Sequence, residues 1–202
     1  MSKKIHHRKK NNRRSNSLYF VGVGIALIGV MAVLLLLFGK QDNAVSKSAS
    51  SPSAPSRSVI PVEVNYAAPE LSLQNVNGDT ESLTDYRDNV VLVNNWATWC
   101  PPCKAEIPTL EAYYKAHYEE GFVIIGIEAG ESQNEVLQFV QGANITYPIW
   151  VDLANASLQA FRSPNLPNSF VIDRNGTVRL AWVGEINLEM LEKYVTPLVM
   201  EN

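Results

Sequence analysis

The sequence predicts an α/β domain over residues 61–202, in which a mixed central sheet is flanked by helices. Three observations support this fold class. Short apolar runs, typical of buried strands, alternate with segments of helical periodicity. Two turn signals, Asn77-Gly78 and Arg174-Asn175-Gly176, mark β-hairpins. A hairpin and a helix follow the last strand–helix unit, so parallel and antiparallel strands are expected to share one sheet.

The predicted elements follow in order along this domain. The strands are an opening hairpin of Leu71–Leu73 and Thr80–Leu83, then Val90–Val93, Phe122–Ile127, Pro148–Val151, Ser169–Asp173 and Thr177–Val183. The helices are Pro102–Glu120, Ser132–Gln141, Ala154–Phe161 and Asn187–Met200. Gly121 is expected to end the first helix, and the spacing of Ser132 and Glu135 is that of a capping box. Pro197 disturbs the pattern of the last helix.

The first 60 residues have a different composition. Residues 1–17 carry seven Lys or Arg and no acid, which predicts a basic cytoplasmic stub. Residues 18–38 are 21 uncharged, mostly apolar residues, long enough to span the roughly 30 Å hydrocarbon core of a bilayer. Residues 39–60 are rich in Ser, Pro and Ala, as in a flexible linker. The sequence therefore predicts one transmembrane signal anchor, with the folded domain outside the cytoplasm.

The anchor is expected to remain uncleaved, because the apolar run is longer than that of a cleaved signal peptide. No cysteine stands directly after it, which excludes a lipoprotein anchor. The chain has 17 Lys or Arg and 20 Asp or Glu, and the stub holds seven of the basic residues. The exported part therefore has 10 basic against 20 acidic residues, which argues against a nucleic acid or an anionic lipid as its partner.

Cys100 and Cys103 are the only two cysteines of the chain. A disulfide between them would close a loop of four residues and would add little stability to the fold. Such a bond is better suited to open and close than to brace a structure. The pair therefore predicts thiol–disulfide exchange.

The position of the pair supports this chemistry. A strand that ends at Trp99 and a helix that starts at Cys100 place Cys100 near the helix N-cap, where free amides and the helix dipole favour a thiolate. Cys100 is therefore the predicted nucleophile, and Cys103, within the first turn, the predicted resolving thiol. Pro102 has no N–H to offer a thiolate, so only a moderate lowering of the Cys100 pKa is expected.

A Cys-x-x-Cys motif can also be half of a zinc site. Zinc would need two further ligands, and His117 is the only histidine after the apolar run, so no metal site is predicted. A binding module or metallochaperone for Cu(I) remains an alternative from another functional class, although no Met or His cluster supports it.

The segment Asn94–Pro108, with the sequence NNWATWCPPCKAEIP, resembles the active-site segment of thioredoxin-fold proteins. It is most similar to the membrane-anchored TlpA/ResA/CcmG branch of the AhpC/TSA-redoxin superfamily. The resemblance extends over about residues 67–198. It implies a thioredoxin-like fold with an N-terminal β-hairpin extension and one N-terminal transmembrane helix.

The resemblance also implies residues that bind the substrate. Pro167 matches the cis-proline that helps to hold extended partner segments, and Pro164 is a nearby competitor for that position. Leu166 and Trp99 are expected to bind substrate beside it. Trp96 and Trp99 are both expected to pack around the cysteine motif.

Glu106 matches the acid that tunes the protonation of the cysteines in ResA-like members; the alternative is a solvated residue on the helix face. Asn94 stands where thioredoxins carry a buried Asp, and a neutral amide cannot accept a proton. Glu128 is expected to be either a second proton-handling group or an exposed residue at a strand end. Asn168-Ser169 departs from the two threonines common in the family.

By this analogy, the chain is a reductase of protein disulfides outside the cytoplasm, and apocytochrome c is a substrate that the family suggests. A membrane dithiol carrier is the expected electron donor, and no cofactor is expected besides the Cys100–Cys103 disulfide. The remaining alternative among enzymes is a thiol peroxidase of the peroxiredoxin group, for which Thr98 has the wrong spacing from Cys100.

Overall fold

The computed structural model of the protein describes residues 60–201. The predictions for the basic stub at 1–17, the anchor at 18–38 and the linker up to residue 59 lie outside these residues. Within residues 60–201, no helix is both long enough and apolar enough to cross a membrane.

Eight strands form one mixed sheet in the order β1-β8-β7-β4-β5-β6-β2-β3. Their bounds are β1 Val62–Ala67, β2 Ser72–Asn75, β3 Thr80–Ser82, β4 Val90–Trp96, β5 Phe122–Ala129, β6 Ile149–Asp152, β7 Asn168–Ile172 and β8 Thr177–Val183. β5 is parallel to β4 and β6, and the other pairs are antiparallel. The predicted mixed sheet is confirmed.

The helices match the predicted order with shifted ends. They are α1 Pro101–His117, α2 Gln133–Ala143, α3 Ala156–Ala160, α4 Leu188–Met190 and α5 Thr196–Met200, and a 3₁₀ turn lies at Tyr118–Glu120. Ser132 and Glu135 form the predicted capping box at the start of α2. The helix continues beyond Gln141 and ends at Asn144, which adopts a left-handed conformation with φ of 54°.

The closing helix predicted over Asn187–Met200 is present from Leu188 to Met200, but it is not a regular α-helix. A π-helical turn at Leu191–Val195 separates α4 from α5. Pro197 lies in the first turn of α5 and has no N–H, so it cannot donate to the carbonyl four residues earlier. The backbone therefore leaves the regular α-helical pattern just before this proline.

The two faces of the sheet carry separate apolar clusters. The first contains both cysteines and side chains of α1, α2 and the C-terminal helices, such as Leu110, Val136 and Val199. The second contains Leu71, Leu83 and Phe161 and lies under the N-terminal segments and α3. All seven residues of β4 are buried. The strand that leads into the cysteine motif is thus covered on both faces, as predicted.

The opening hairpin is confirmed, and it joins the main sheet through β6. Gly78 adopts φ of 93° in the turn, and the Glu81 carboxylate accepts hydrogen bonds from Asn75 Nδ2 at 2.6 Å, Trp150 Nε1 at 2.8 Å and the Tyr86 hydroxyl. Burial acts to raise the pKa of Glu81, but these hydrogen bonds outweigh it and leave the pKa below its ordinary value.

Side chains of β4, β6 and the loop before β6 pack closely around Gly126 of β5. A Cβ at this position would lie 2.6 Å from Ile149 Cδ1, 3.0 Å from Tyr147 Cε2 and 3.2 Å from Trp96 Nε1. A Cβ here would force the Ile149 side chain to move and would crowd the rings of Tyr147 and Trp96. Glycine is therefore favoured at position 126 by the close approach of its neighbours and not by its backbone conformation.

Candidate active site

The two cysteines form a disulfide at the N-terminus of α1. Cys100 is the N-cap residue, with φ of −91° and ψ of 107°, and its Sγ accepts a hydrogen bond from the backbone N–H of Cys103 at 3.3 Å. Pro101 and Pro102 occupy the first two helical positions. Only 3% of Cys100 is exposed and Cys103 is fully buried. The sulfurs therefore lie where the sequence predicts, with one backbone amide as donor.

Pro102→Ala is expected to lower the pKa of the reduced Cys100 thiol. The substitution restores an N–H at the second helical position, which gives a thiolate a second amide donor. We expect a decrease of roughly half a pKa unit, measured by ultraviolet thiolate absorbance against pH. Pro101→Ala is the matched control, since the first amide of a helix does not normally bond to the cap. An unchanged or higher pKa in Pro102→Ala would contradict this account.

Glu106 is a fully buried carboxyl one helical turn after Cys103. Its Oε1 accepts a hydrogen bond from Asn94 Nδ2 at 2.8 Å, and its Oε2 accepts one from the backbone N–H of Ile186 at 3.0 Å. Burial raises the pKa of Glu106 to about 7, although these two hydrogen bonds oppose the rise. The alternative of a solvated residue on the helix face is wrong.

Asn94 orients this carboxyl. Its amide donates both to Glu106 and to Ser169 Oγ, the latter at 3.0 Å. Asn94 on β4 and Ser169 on β7 are cross-strand partners. The amide cannot itself take up a proton, but it fixes the position of a group that can. A carboxyl with a pKa near 7 is suited to exchange protons with thiols at neutral pH.

A groove of about 410 Å³ opens beside Trp99, the residue that precedes Cys100. Its lining residues are Trp99, Ala129, Asn155, Leu158, Pro164, Asn165 and Leu166. The Leu166–Pro167 peptide bond is cis, as the resemblance implies, and it is the only cis bond within residues 60–201. Leu166 also packs against the apolar cluster that contains the cysteines.

The structure separates the two tryptophans of the motif. Trp96 is buried and packs against Phe139, with ring centroids 5.2 Å apart. Trp99 follows the turn after β4 and is 65% exposed, so the prediction that it packs around the motif is wrong. Its ring is instead available at one end of the groove.

A pair of carboxyls lies beside the loop that precedes Cys100. Glu131 accepts hydrogen bonds from the N–H of Thr98 at 2.8 Å and from its hydroxyl at 2.5 Å. Glu128 accepts one from the N–H of Glu131 at 3.0 Å. Its other oxygen is buried without a partner among the described residues. The expectation of an exposed Glu128 is wrong.

The carboxyls of Glu128 and Glu131 differ in their protonation at neutral pH. Burial and the neighbouring Glu131 together raise the pKa of Glu128 to about 8, although the hydrogen bond from the Glu131 N–H opposes the rise. Burial also acts to raise the pKa of Glu131, but the adjacent Glu128 carboxyl and the hydrogen bonds from Thr98 leave it below its ordinary value. At neutral pH, a protonated Glu128 therefore faces an ionised Glu131. The sequence did not indicate Glu131 as a contact of Thr98; the parallel pairing of Trp96 with Glu128 is the signal that places the two strand ends together.

Glu128→Gln is expected to stabilise the protein increasingly as the pH rises from about 4.5 to 8. A raised pKa in the folded state means that the folded protein binds the proton more tightly, so stability falls with pH in this window. Glutamine cannot ionise, so the variant does not lose this stability. Its free energy of unfolding should gain at least about 1 kcal/mol on that of the wild type by the upper end of this pH window. Urea unfolding at several pH values measures the difference. Glu63→Gln, at an exposed position, is the control, and a difference that does not change with pH would contradict the prediction.

Within residues 60–201, no group of three or more His, Cys, Asp or Glu side chains is placed to hold a metal ion. The chemistry that the arrangement can perform is that of the cysteine pair. Two thiols can give up two electrons and two protons to form the disulfide, and the reverse reaction restores them.

Comparisons with known proteins agree with this chemistry. The AhpC/TSA family matches residues 64–181. Thiol-disulfide oxidoreductase ResA of Geobacillus kaustophilus is 33% identical over 134 residues, which are 66% of this chain and 77% of that protein. ResA of Bacillus subtilis is 31% identical over 63% of this chain and 72% of its own length. A crystal structure of a thiol:disulfide interchange protein of the thioredoxin family from Chlorobium tepidum matches with a TM-score of 0.61 and 28% identity, over 68% of this chain and 99% of that one.

The fold and the dithiol at the helix N-terminus define a thioredoxin-like oxidoreductase. The chain belongs to the AhpC/TSA family and, within it, to the thiol-disulfide oxidoreductases of the ResA/CcmG type. The family resemblance inferred from the active-site segment is thereby confirmed.

Proposed function

We propose that the protein reduces disulfides of other proteins outside the cytoplasm, with apocytochrome c among its substrates. The observation that carries this proposal is the Cys100–Cys103 disulfide at the start of α1, with the buried Glu106 one turn further on. The dithiol is the only redox group that the proposal needs. The predicted anchor at residues 18–38 would hold the domain near the outer face of the cytoplasmic membrane.

In the proposed cycle, the Cys100 thiolate attacks the substrate disulfide and forms a mixed disulfide, releasing one substrate thiol. Glu106 accepts the proton of Cys103, whose thiolate then attacks Cys100 and releases the second thiol of the substrate. The protein is left oxidised. A membrane dithiol donor returns two electrons and two protons. Pro167, Leu166 and Trp99 hold the substrate segment next to Cys100.

The reduction potential of the full-length protein tests the direction of this reaction. The protein in detergent is equilibrated with thiol–disulfide buffers, and its free thiols are trapped and counted. A potential near that of thioredoxin, about −270 mV, supports a reductase, whereas a value near about −120 mV would identify an oxidase. Rapid peroxide consumption by Cys103→Ser would instead favour a peroxidase, and tight Cu(I) retention without disulfide reduction would favour a metallochaperone.

The proposed location can be tested with the same two cysteines, because the chain has no others. A membrane-impermeant maleimide should label the reduced protein in intact cells stripped of any outer barrier. Labelling that occurs only after the cytoplasmic membrane is opened would overturn the location.

A further inference from the structure

A buried polar cluster lies on the face of β4 opposite Glu106. Asn94 and Asn95 are consecutive strand residues, so their side chains point to opposite faces of the sheet. Asn94 contacts Glu106, whereas Asn95 faces the other way and pairs with Asn168 across the antiparallel strands β4 and β7. Asn95 and Asn168 are both completely buried. A pair of buried amides between two central strands needs an explanation beyond packing.

A continuous chain of hydrogen bonds runs through this pair. Ser157 Oγ in α3 donates to Asn95 Oδ1 at 2.6 Å, and Asn95 Nδ2 donates to Asn168 Oδ1 at 2.7 Å. Asn168 Nδ2 donates to the carbonyl oxygens of Ser163 at 3.0 Å and Asn165 at 2.7 Å. The chain therefore connects α3 to the loop of residues 163–167, which leads into β7.

This loop has few donors of its own. Pro164 and Pro167 lack an N–H, so they cannot hold the loop by backbone hydrogen bonds in the usual way. The Ser163 carbonyl is buried and still requires a partner, whereas Asn165 is an exposed residue whose carbonyl bond is half-buried. Asn168 supplies both protons of its side-chain amide to these two carbonyls, one bond on each side of Pro164. The Ser163 N–H also donates to the Leu158 carbonyl of α3 at 3.0 Å, and beyond that bond the loop depends on a side chain that is itself held by Asn95.

The two ends of this chain of hydrogen bonds lie at the two walls of the groove. Asn155 and Leu158 belong to the α3 side, and Pro164, Asn165 and Leu166 belong to the loop. We infer that the Asn95–Asn168 pair is a positioning device that fixes the distance between these walls and so sets the affinity for an extended substrate segment. This inference rests on the proposed function. The pair contacts neither sulfur, so electron transfer itself does not require it.

The inference is tested on the full-length variants Asn95→Ala and Asn168→Ala. One probe is a short synthetic peptide with a single internal disulfide flanked by leucines, and the other is 2-hydroxyethyl disulfide, which is too small to span the groove. Both variants should raise KM for the peptide at least about five-fold. The value of kcat for the peptide and the reaction with the small disulfide should stay within about two-fold of wild type.

The double variant should be no worse than Asn168→Ala, because the two residues act through one chain of bonds. Asn168→Thr retains one hydroxyl donor for the two carbonyls and should give an intermediate KM. It also keeps the test open if the alanine variant does not fold. Val171→Ala, buried in the same strand, is the matched control: it should lower the melting temperature and leave KM unchanged.

Two outcomes would overturn the inference: an unchanged KM in both asparagine variants, or an equal rise of KM in Val171→Ala. A wild-type protein that reduces the small disulfide but not the peptide would instead remove the proposed function, and the inference with it. A changed redox equilibrium constant in Asn95→Ala would assign the pair to the dithiol and not to the groove.

Discussion

Cys100→Ser is expected to reduce disulfide exchange to the uncatalysed background, while Cys103→Ser stops the reaction halfway. Cys100 is the sulfur at the N-cap, where the helix amides favour a thiolate, so its loss removes the nucleophile. Cys103→Ser retains that nucleophile but has no thiol to resolve the mixed disulfide. The protein should therefore accumulate covalently bound to the substrate.

Turnover of a peptide disulfide and non-reducing electrophoresis measure the two effects. The matched controls are the variants themselves, since each removes one sulfur from the same loop. Both should retain the fold, because a bridge that closes a loop of four residues contributes little stability. A mixed disulfide that accumulates on Cys100→Ser, and not on Cys103→Ser, would reverse the assigned roles.

Glu106→Gln is expected to slow turnover by roughly 10²-fold above neutral pH. The Glu106 pKa is about 7, so its ionised form, which we propose as the proton acceptor for Cys103, becomes dominant above this pH. The wild-type rate should therefore rise as the pH passes through about 7. The amide cannot accept the proton, so the rate of the variant should not rise as the pH passes through about 7. Cys100 of the variant should still attack a small disulfide.

Glu111→Gln is the matched control for Glu106→Gln. Glu111 lies on the same helix but faces Lys115 and Thr146, with Lys115 Nζ 2.8 Å from its Oε1. Its replacement should leave both the rate and the pH profile close to wild type. A Glu106→Gln variant with a normal pH profile would show that the acceptor for the Cys103 proton is another group.

The helix that carries the cysteines could be predicted because its signals are local. A buried strand, a cysteine at the cap and prolines in the first turn lie within about ten residues of one another, and each limits the backbone by itself. The hairpins could be predicted equally well, since an Asn-Gly turn depends on only two residues. β1 was missed although its sequence VEVNYA alternates apolar and polar residues; five of its six residues are exposed, so no buried apolar run marks it.

The environment of the site could not be predicted in the same way. The burial of Glu106 depends on Asn94 and Ile186, which are 12 and 80 positions away in the sequence. The Asn95–Asn168 pair joins residues 73 positions apart. Their polarity would indicate exposed ends of strands, and only the pairing of β4 with β7 explains why they are buried. Helical spacing predicted that Glu106 lies near Cys103, but it did not predict whether the Glu106 carboxyl is buried or solvated.

The absence of a side chain at residue 126 has a consequence for how this protein can vary. A methyl group there would push on Trp96, below the cysteine motif, and on Tyr147, whose raised pKa reflects burial first and the nearby Glu106 second. A substitution in the middle of a strand would therefore disturb the redox centre without contacting either sulfur. Random mutagenesis followed by selection for activity should therefore favour glycine at this position.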